Sequence, residues 1–260
     1  MADDSNYLVR TTGHLGEHRR LIVLRSLAAG MAGMTPVPLV DDWLVSIIRR
    51  GTLRRLAEAR QVDASPEALK AVADGASAPP SWRSLASAGL VPLLMQKTLR
   101  KAMILFAAAR RADEVLQSFA VATLFDHYCA QLHVGSGLDV QSGQALRADM
   151  DAVLGRARGQ VVARLFRRAL SATGRAAVRA PLELADIATA GLLSRLRGKH
   201  DVAEAEAVEL VEGAVERAGE RGFLGKIAAA VDAGVSTAGQ EYVKHIVAAF
   251  EERQSQRTIP

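Results

Sequence analysis

Apolar residues recur at helical spacing along most of the chain, and no period-2 alternation is long enough to indicate a strand. Glycine and proline divide the chain into blocks. The main interruptions fall at residues 34–38, 74–92, 134–143, 197–201 and 219–225. This pattern predicts an all-α fold, an irregular multi-helix bundle of about seven to nine helices. We expect one helical domain over residues 1–260, and the 74–92 interruption leaves open a division into two lobes.

The stretch from Leu93 to Val134 contains 42 residues without glycine or proline. One helix of that length would extend about 60 Å at 1.5 Å per residue, which is too long for a compact domain of this size. We therefore expect a break or kink near Arg110 to Asp113, with Asp113 able to cap a second helix. That second segment is apolar on most sides, which is typical of a central, buried helix.

Composition strengthens the helical prediction, because the chain is rich in alanine, leucine and arginine and has only 4% aromatic residues. The single cysteine, Cys129, excludes an internal disulfide and any multi-cysteine metal site, which fits a reducing compartment. The N-terminal residues are acidic and polar, unlike a secretory signal. The longest charge-free run, Ser26 to Val40, is shorter than the roughly 18 residues that a membrane span needs. We expect a cytoplasmic protein, with peripheral membrane association left open.

The segment from Ala28 to Val45 combines a small-residue helix, a Pro-x-Pro turn at Pro36 and Pro38, and an aspartate at Asp41. It resembles the corresponding part of the YcjF-like and EcsC-like helical proteins. The resemblance covers this segment and its flanking helices only, and the glycine that often follows the second proline in those families is missing here. The resemblance implies a bacterial, membrane-associated protein without an assigned catalytic mechanism.

Few sequence motifs in this chain could support catalysis. His14, Glu17 and His18 fit the H-x-x-E-H order of inverted zinc metalloproteases. However, Gly13 and Gly16 weaken a helix there, and no spacing signals a third ligand, so we predict no metal site.

His127 and His133 are six residues apart, which places them about 120° apart around a helix and prevents a simple metal pair. His127 is interpreted as a buried histidine at a helix end. Phosphate-binding loops, dinucleotide fingerprints and nucleophile elbows are all missing from the sequence. We predict no cofactor, and the sequence argues against an enzyme more than for one.

Charge patterning is the strongest functional signal. From Ala152 to Leu182 there are seven arginines and no acidic residue. On one continuous helix, six of them fall within an arc of about 140°. Those six are Arg156, Arg164, Arg167, Arg168, Arg175 and Arg179. A second basic stretch carries Arg49, Arg50 and Arg54. We assign these nine arginines to binding of an anionic surface.

An acidic segment follows, because six carboxylates lie between Asp201 and Glu216 before any basic residue appears. Two interpretations stay open. In one, the acidic segment lies beside the arginine helix and the two neutralise each other through weak surface pairs. In the other, the arginines contact an external anion.

The external interpretation predicts a non-catalytic helical protein that binds an anionic membrane surface or an acidic protein partner. Nucleic acid fits less well, because single-strand binding uses aromatic stacking and this chain has only 2 Trp, 3 Tyr and 6 Phe. The alternatives are a carrier of an apolar ligand such as a lipid, enclosed between helices, or a hydrolase with an unrecognised site.

Overall fold

The computed structural model describes residues 13–32, 40–75, 100–135, 137–157, 159–172, 209, 211–213, 215–217 and 223–258. These residues form a short 3-10 helix at Gly13–Gly16 and eight α-helices. The α-helices are α1 (Arg19–Ala32), α2 (Val40–Ala59), α3 (Pro66–Asp74), α4 (Arg100–His127), α5 (Val140–Leu154), α6 (Gln160–Ala172), α7 (Phe223–Thr237) and α8 (Gln240–Thr258). The predicted all-α fold, a multi-helix bundle, is confirmed.

Helix α4 lies at the centre of the bundle and packs against α1, α2, α5, α6 and α8. Side chains on all its sides are fully buried, among them Val115, Phe119 and Phe125. A break near Arg110 to Asp113 is wrong, because one helix of 28 residues continues through this region, whereas a kink there stays a prediction. A 28-residue helix extends about 42 Å, which the helices packed around it can cover. It ends instead in a π-helical turn at Tyr128–Leu132, closed by a bond from the His133 N–H to the Tyr128 carbonyl.

Helices α3 and α5 begin side by side, and local sequence explains both starts. Ser65 accepts a hydrogen bond from the Ala68 N–H, with Pro66 at the first helical position. Asp139 accepts one from the Ser142 N–H. The segments that lead into these helices are joined by an isolated parallel bridge between Ala64 and Leu138, and no strand occurs within the described ranges.

The α3 and α5 pair is in very close contact. A Cβ atom at Gly143 would lie 2.8 Å from the Ala68 carbonyl oxygen, so only glycine allows this approach. Further along, the buried Arg147 donates hydrogen bonds from Nη1 to the carbonyls of Val72 at 2.6 Å and Ala73 at 2.8 Å. Arg147 thereby satisfies carbonyls at the end of α3 that have no partner within the helix.

Helix α6 packs against α4 and α7. Phe166 is fully buried and meets Phe119 of α4 edge to face, with ring centroids 5.6 Å apart. Within the residues that the structure describes, no helix has the length and hydrophobicity that membrane crossing requires. The interruption at 74–92 falls almost entirely outside those residues, so the suggested division into two lobes stays a prediction.

Candidate anionic-surface site

Three predicted arginines lie together on α6, and all three are exposed. They are Arg164, Arg167 and Arg168. The opposite side of the helix carries Val162 and Phe166, both fully buried. Burial of that apolar side fixes the rotation of α6 about its axis and turns the arginines outward. Arg164 donates from Nε to the Gln160 carbonyl at 3.3 Å, a contact within its own helix that leaves the positive charge uncompensated.

The six arginines of the predicted arc do not all lie on one continuous helix. Helix α5 ends at Leu154 and α6 begins at Gln160, so Arg156 lies in the connection, where it is exposed. The glycines at 155 and 159 mark this break, because glycine interrupts a helix at a conformational cost. Arg175 and Arg179 lie outside the described residues. Within the described chain, Arg156, Arg164 and Arg167 form no ion pair with a carboxylate.

The predicted arginines on α2 are placed differently, because all three form ion pairs inside the protein. Arg49 donates from Nε to Ser118 Oγ at 2.7 Å and from Nη2 to Glu114 Oε1 at 3.3 Å. Arg50 binds Asp74 Oδ2 at 2.8 Å. Arg54 binds Glu212 Oε2 at 2.7 Å. Burial lowers the pKa of Arg49, with the carboxylate of Glu114 acting in the opposite direction.

Residues of the acidic segment contact α2, and the predicted pairing of this segment with the arginine helix stays a prediction. Glu212 is buried and binds both Arg54 and Arg55, and Glu216 also binds Arg55. Glu212 can occupy this position because Gly51 of α2 has no side chain. The Glu212 carboxylate lies directly over Gly51, where a Cβ atom would collide with it. The described part of the acidic segment therefore neutralises arginines of α2.

A second polar cluster was missed by the sequence interpretation. His14, Glu17 and His18 each bind a different partner, which explains the H-x-x-E-H pattern without a metal. His14 Nε2 lies 3.1 Å from His127 Nδ1, with the two rings stacked. His18 Nδ1 lies 3.0 Å from Asp126 Oδ1. Glu17 accepts from Arg60 Nη1 at 2.6 Å.

Arg60 holds this cluster together, because it also donates to both oxygens of the fully buried Asp126, at 2.9 and 3.2 Å. The hydrogen bonds to Asp126 raise the pKa of Arg60. Among the described residues, no three histidine, cysteine or acidic side chains are arranged to hold a metal ion. The cluster attaches the N-terminal 3-10 helix to the end of α4. The only sequence signal for it was the position of Asp126 and His127 at a helix end.

His127 is fully buried, as its position at a helix end suggested. Its Nε2 lies 3.0 Å from Glu251 Oε1 of α8 without hydrogen-bond geometry. Burial, together with the neighbouring His14, lowers the pKa of His127 to about 4, against the attraction of Asp126. Burial also lowers the pKa of His14 and raises the pKa of Glu251. Both histidines are therefore neutral at pH 7.

Two cavities lie between the described helices, and both are small. One has a volume of about 10 Å³ and lies between α1, α2 and α4. The other, of about 60 Å³, lies beside the 3-10 helix and is lined by Phe119 of α4 and Val243 of α8. Sites for apolar ligands usually measure about 300–1,000 Å³. Neither cavity can enclose a lipid.

Comparison with protein-family models, with curated proteins and with solved structures finds no match to this chain. The resemblance of Ala28 to Val45 to the YcjF-like and EcsC-like proteins therefore stays a prediction.

Proposed function

We propose that the protein docks reversibly on an anionic membrane surface through the exposed arginines of α6. The observation that supports this proposal is the contrast between two basic helices. The arginines of α2 are matched by carboxylates of Glu114, Asp74 and Glu212, whereas Arg164 and Arg167 of α6 have no carboxylate partner in the described chain.

Docking of this kind is electrostatic and does not require insertion. Among the described residues of α6, Phe166 is buried in the core, and Val161 is an exposed large apolar side chain. Each basic residue near an anionic surface contributes on the order of 1 kcal/mol. Arg164 and Arg167 together then contribute about 2 kcal/mol, which corresponds to a factor of about 30 in affinity. Attraction between exposed charges is screened over about 10 Å at 0.1 M salt and about 3 Å at 1 M.

The test is co-sedimentation with vesicles of phosphatidylcholine that contain phosphatidylserine, compared with vesicles of phosphatidylcholine alone. We expect the parent protein to sediment with the anionic vesicles at low salt and to be released at high salt. Replacing Arg164 and Arg167 by glutamine should abolish most of this binding. The melting temperature should stay near that of the parent, because exposed substitutions of this kind change stability by about 0.5 kcal/mol or less.

A matched control removes the same number of charges elsewhere. Arg20 and Lys70 are exposed and lie on other parts of the chain. The double glutamine variant at these positions has the same net charge as the α6 variant and should still bind. Equal loss in both variants would show that net charge alone drives sedimentation. Failure of the parent to bind anionic vesicles at low salt would refute the membrane proposal and favour an acidic protein partner.

A further inference from the structure

The short 3-10 helix at Gly13–Gly16 borders the larger of the two cavities. Leu15 is buried and lines this cavity of about 60 Å³ together with Phe119 of α4 and Val235 of α7. Within the 3-10 helix, all four residues of which the structure describes, Leu15 is the only buried residue. A segment with so few buried apolar contacts opens more easily than the core. The polar contacts around Leu15 therefore decide whether the segment stays in place.

One polar contact of the 3-10 helix depends on the number of protons that it carries. His14 Nε2 lies 3.1 Å from His127 Nδ1, and the two rings are stacked with centroids 5.1 Å apart. A hydrogen bond between ring nitrogens needs one nitrogen with a proton and one without, because a protonated imidazole has two donors and no acceptor. If both rings are protonated, the facing nitrogens are both donors and the two positive charges repel each other. The geometry makes this contact sensitive to acid.

The contacts that directly follow the 3-10 helix keep their strength in mild acid. His18 Nδ1 lies 3.0 Å from Asp126 Oδ1, and protonation of His18 places a positive charge beside that carboxylate. Glu17 accepts from Arg60 Nη1 at 2.6 Å, and carboxyl groups are protonated at a lower pH than histidine. Residues 17 and 18 thus stay attached when His14 loses its partner, and the 3-10 helix can turn about them.

The charged groups around the two histidines act in both directions. In the described chain they are Glu17, Arg60, Asp126 and Glu251. Burial is the largest influence and lowers the pKa of His14, and burial together with His14 lowers the pKa of His127 to about 4. A lowered pKa means that the contact is fully stable above the ordinary histidine pKa of about 6.5 and is weakened as the pH falls below it.

We propose that residues 13–16 form an acid-released lid over the cavity that Leu15 lines. When His14 and His127 are both protonated, their contact breaks, the lid turns about residues 17 and 18, and Leu15 moves out of the cavity. Phe119 and Val235, which are buried while the lid is closed, then border an opening to solvent. The change is local, involves neither α6 nor membrane docking, and leaves the helix bundle folded.

The first test measures how often Leu15 leaves the cavity. Leu15→Cys and a control, Val72→Cys, are made in a Cys129→Ser chain, so that each variant has one thiol. Val72 is fully buried on α3 and does not line the cavity. The rate of reaction with a dipyridyl disulfide is divided by the rate of the same variant in urea at the same pH, which removes the pH dependence of thiol chemistry. From about pH 7.5 to about pH 5.5 the ratio for Leu15→Cys should rise about tenfold, as linkage predicts for one histidine that regains its ordinary pKa.

Two comparisons decide whether the opening is local and which group causes it. The ratio for Leu15→Cys should exceed that for Val72→Cys at both pH values, whereas global unfolding exposes the two thiols equally. Adding His14→Gln should abolish most of the pH effect, and adding His245→Gln should not, because His245 is exposed on α8. Equal ratios at the two positions, a ratio for Leu15→Cys that does not change with pH, or an unchanged pH effect with His14→Gln would each overturn the proposal.

The second test uses the parent protein and needs no variant. Hydrogen exchange followed by mass spectrometry is corrected for the intrinsic exchange rate at each pH. The Glu17 N–H donates to the His14 carbonyl at 3.1 Å, so its protection should fall on acidification. Local opening exposes little surface, and this exchange should therefore be insensitive to low concentrations of urea, unlike exchange through global unfolding. Protection of Glu17 that is independent of pH, or as sensitive to urea as that of α3, would also overturn the proposal.

Discussion

Acidification should destabilise the protein through the buried pair His14 and His127. In the described chain, four titratable or charged groups face the pair. Glu17 directly follows the 3-10 helix, Arg60 directly follows α2, and Asp126 and Glu251 lie on α4 and α8. Desolvation outweighs the attraction of Asp126, so the pKa of His127 is about 4 in the folded protein against about 6.5 in the unfolded chain. Below pH 6.5 the unfolded chain binds protons that the folded protein does not, so stability is lost as pH falls.

The size of the expected stability loss follows from the difference between the folded and unfolded pKa values of His127. Between about pH 7.5 and pH 5.5, linkage predicts a loss of about 1.3 kcal/mol from His127 alone. His14 adds to the loss, because its pKa is also lowered. Glu251 acts in the opposite direction, since its raised pKa means that its protonation favours the folded state. Protonation of Glu251 becomes important closer to the ordinary pKa range of carboxyl groups. Stability measurements above pH 5.5 therefore report mainly on the histidines.

The assay is urea unfolding followed by far-ultraviolet circular dichroism at several pH values in this interval. We expect the parent to lose at least 1 kcal/mol, and His127→Gln to lose less than half of what the parent loses. His245→Gln is the matched control, because His245 is exposed and should keep the parental pH dependence. His14→Gln provides a second variant at a less buried position. An identical pH dependence in the parent and in both His127→Gln and His14→Gln would refute the reasoning.

Two further predictions concern packing. Gly143→Ala should destabilise the protein by about 1–3 kcal/mol in urea unfolding, because the new Cβ would overlap the Ala68 carbonyl, whereas Gly16→Ala meets no atom within 4 Å and should be nearly neutral. A neutral Gly143→Ala would show that α3 and α5 can separate at little cost. Cys129 should react with a thiol reagent at pH 8 far more slowly in the folded protein than in urea, since burial raises the pKa of its thiol to about 12. Equal rates in the two states would contradict the burial of Cys129.

The fold class could be predicted from sequence because it depends on local interactions. Ser65 with Pro66, and Asp139, are helix starts whose partners lie within three residues, so sequence order alone brings them together. The uninterrupted length of α4 was not predictable in this way. A helix as long as α4 is stable here because five other helices pack against it and bury its sides.

The same distinction between local interactions and contacts among distant helices applies to the candidate sites. Sequence showed which arginines exist and that α6 has a basic side. Only the packed structure showed that Glu212 binds Arg54, 158 positions away, and that His14 meets His127, 113 positions away. Spacing along the chain carries no information about such pairs. Helix formation is decided by neighbours a few residues apart, whereas the partner of a charge is decided by which helix surfaces pack together. The sequence by itself therefore determined the helices of this protein, and the tertiary structure decided which of its arginines are neutralised inside and which remain on the surface.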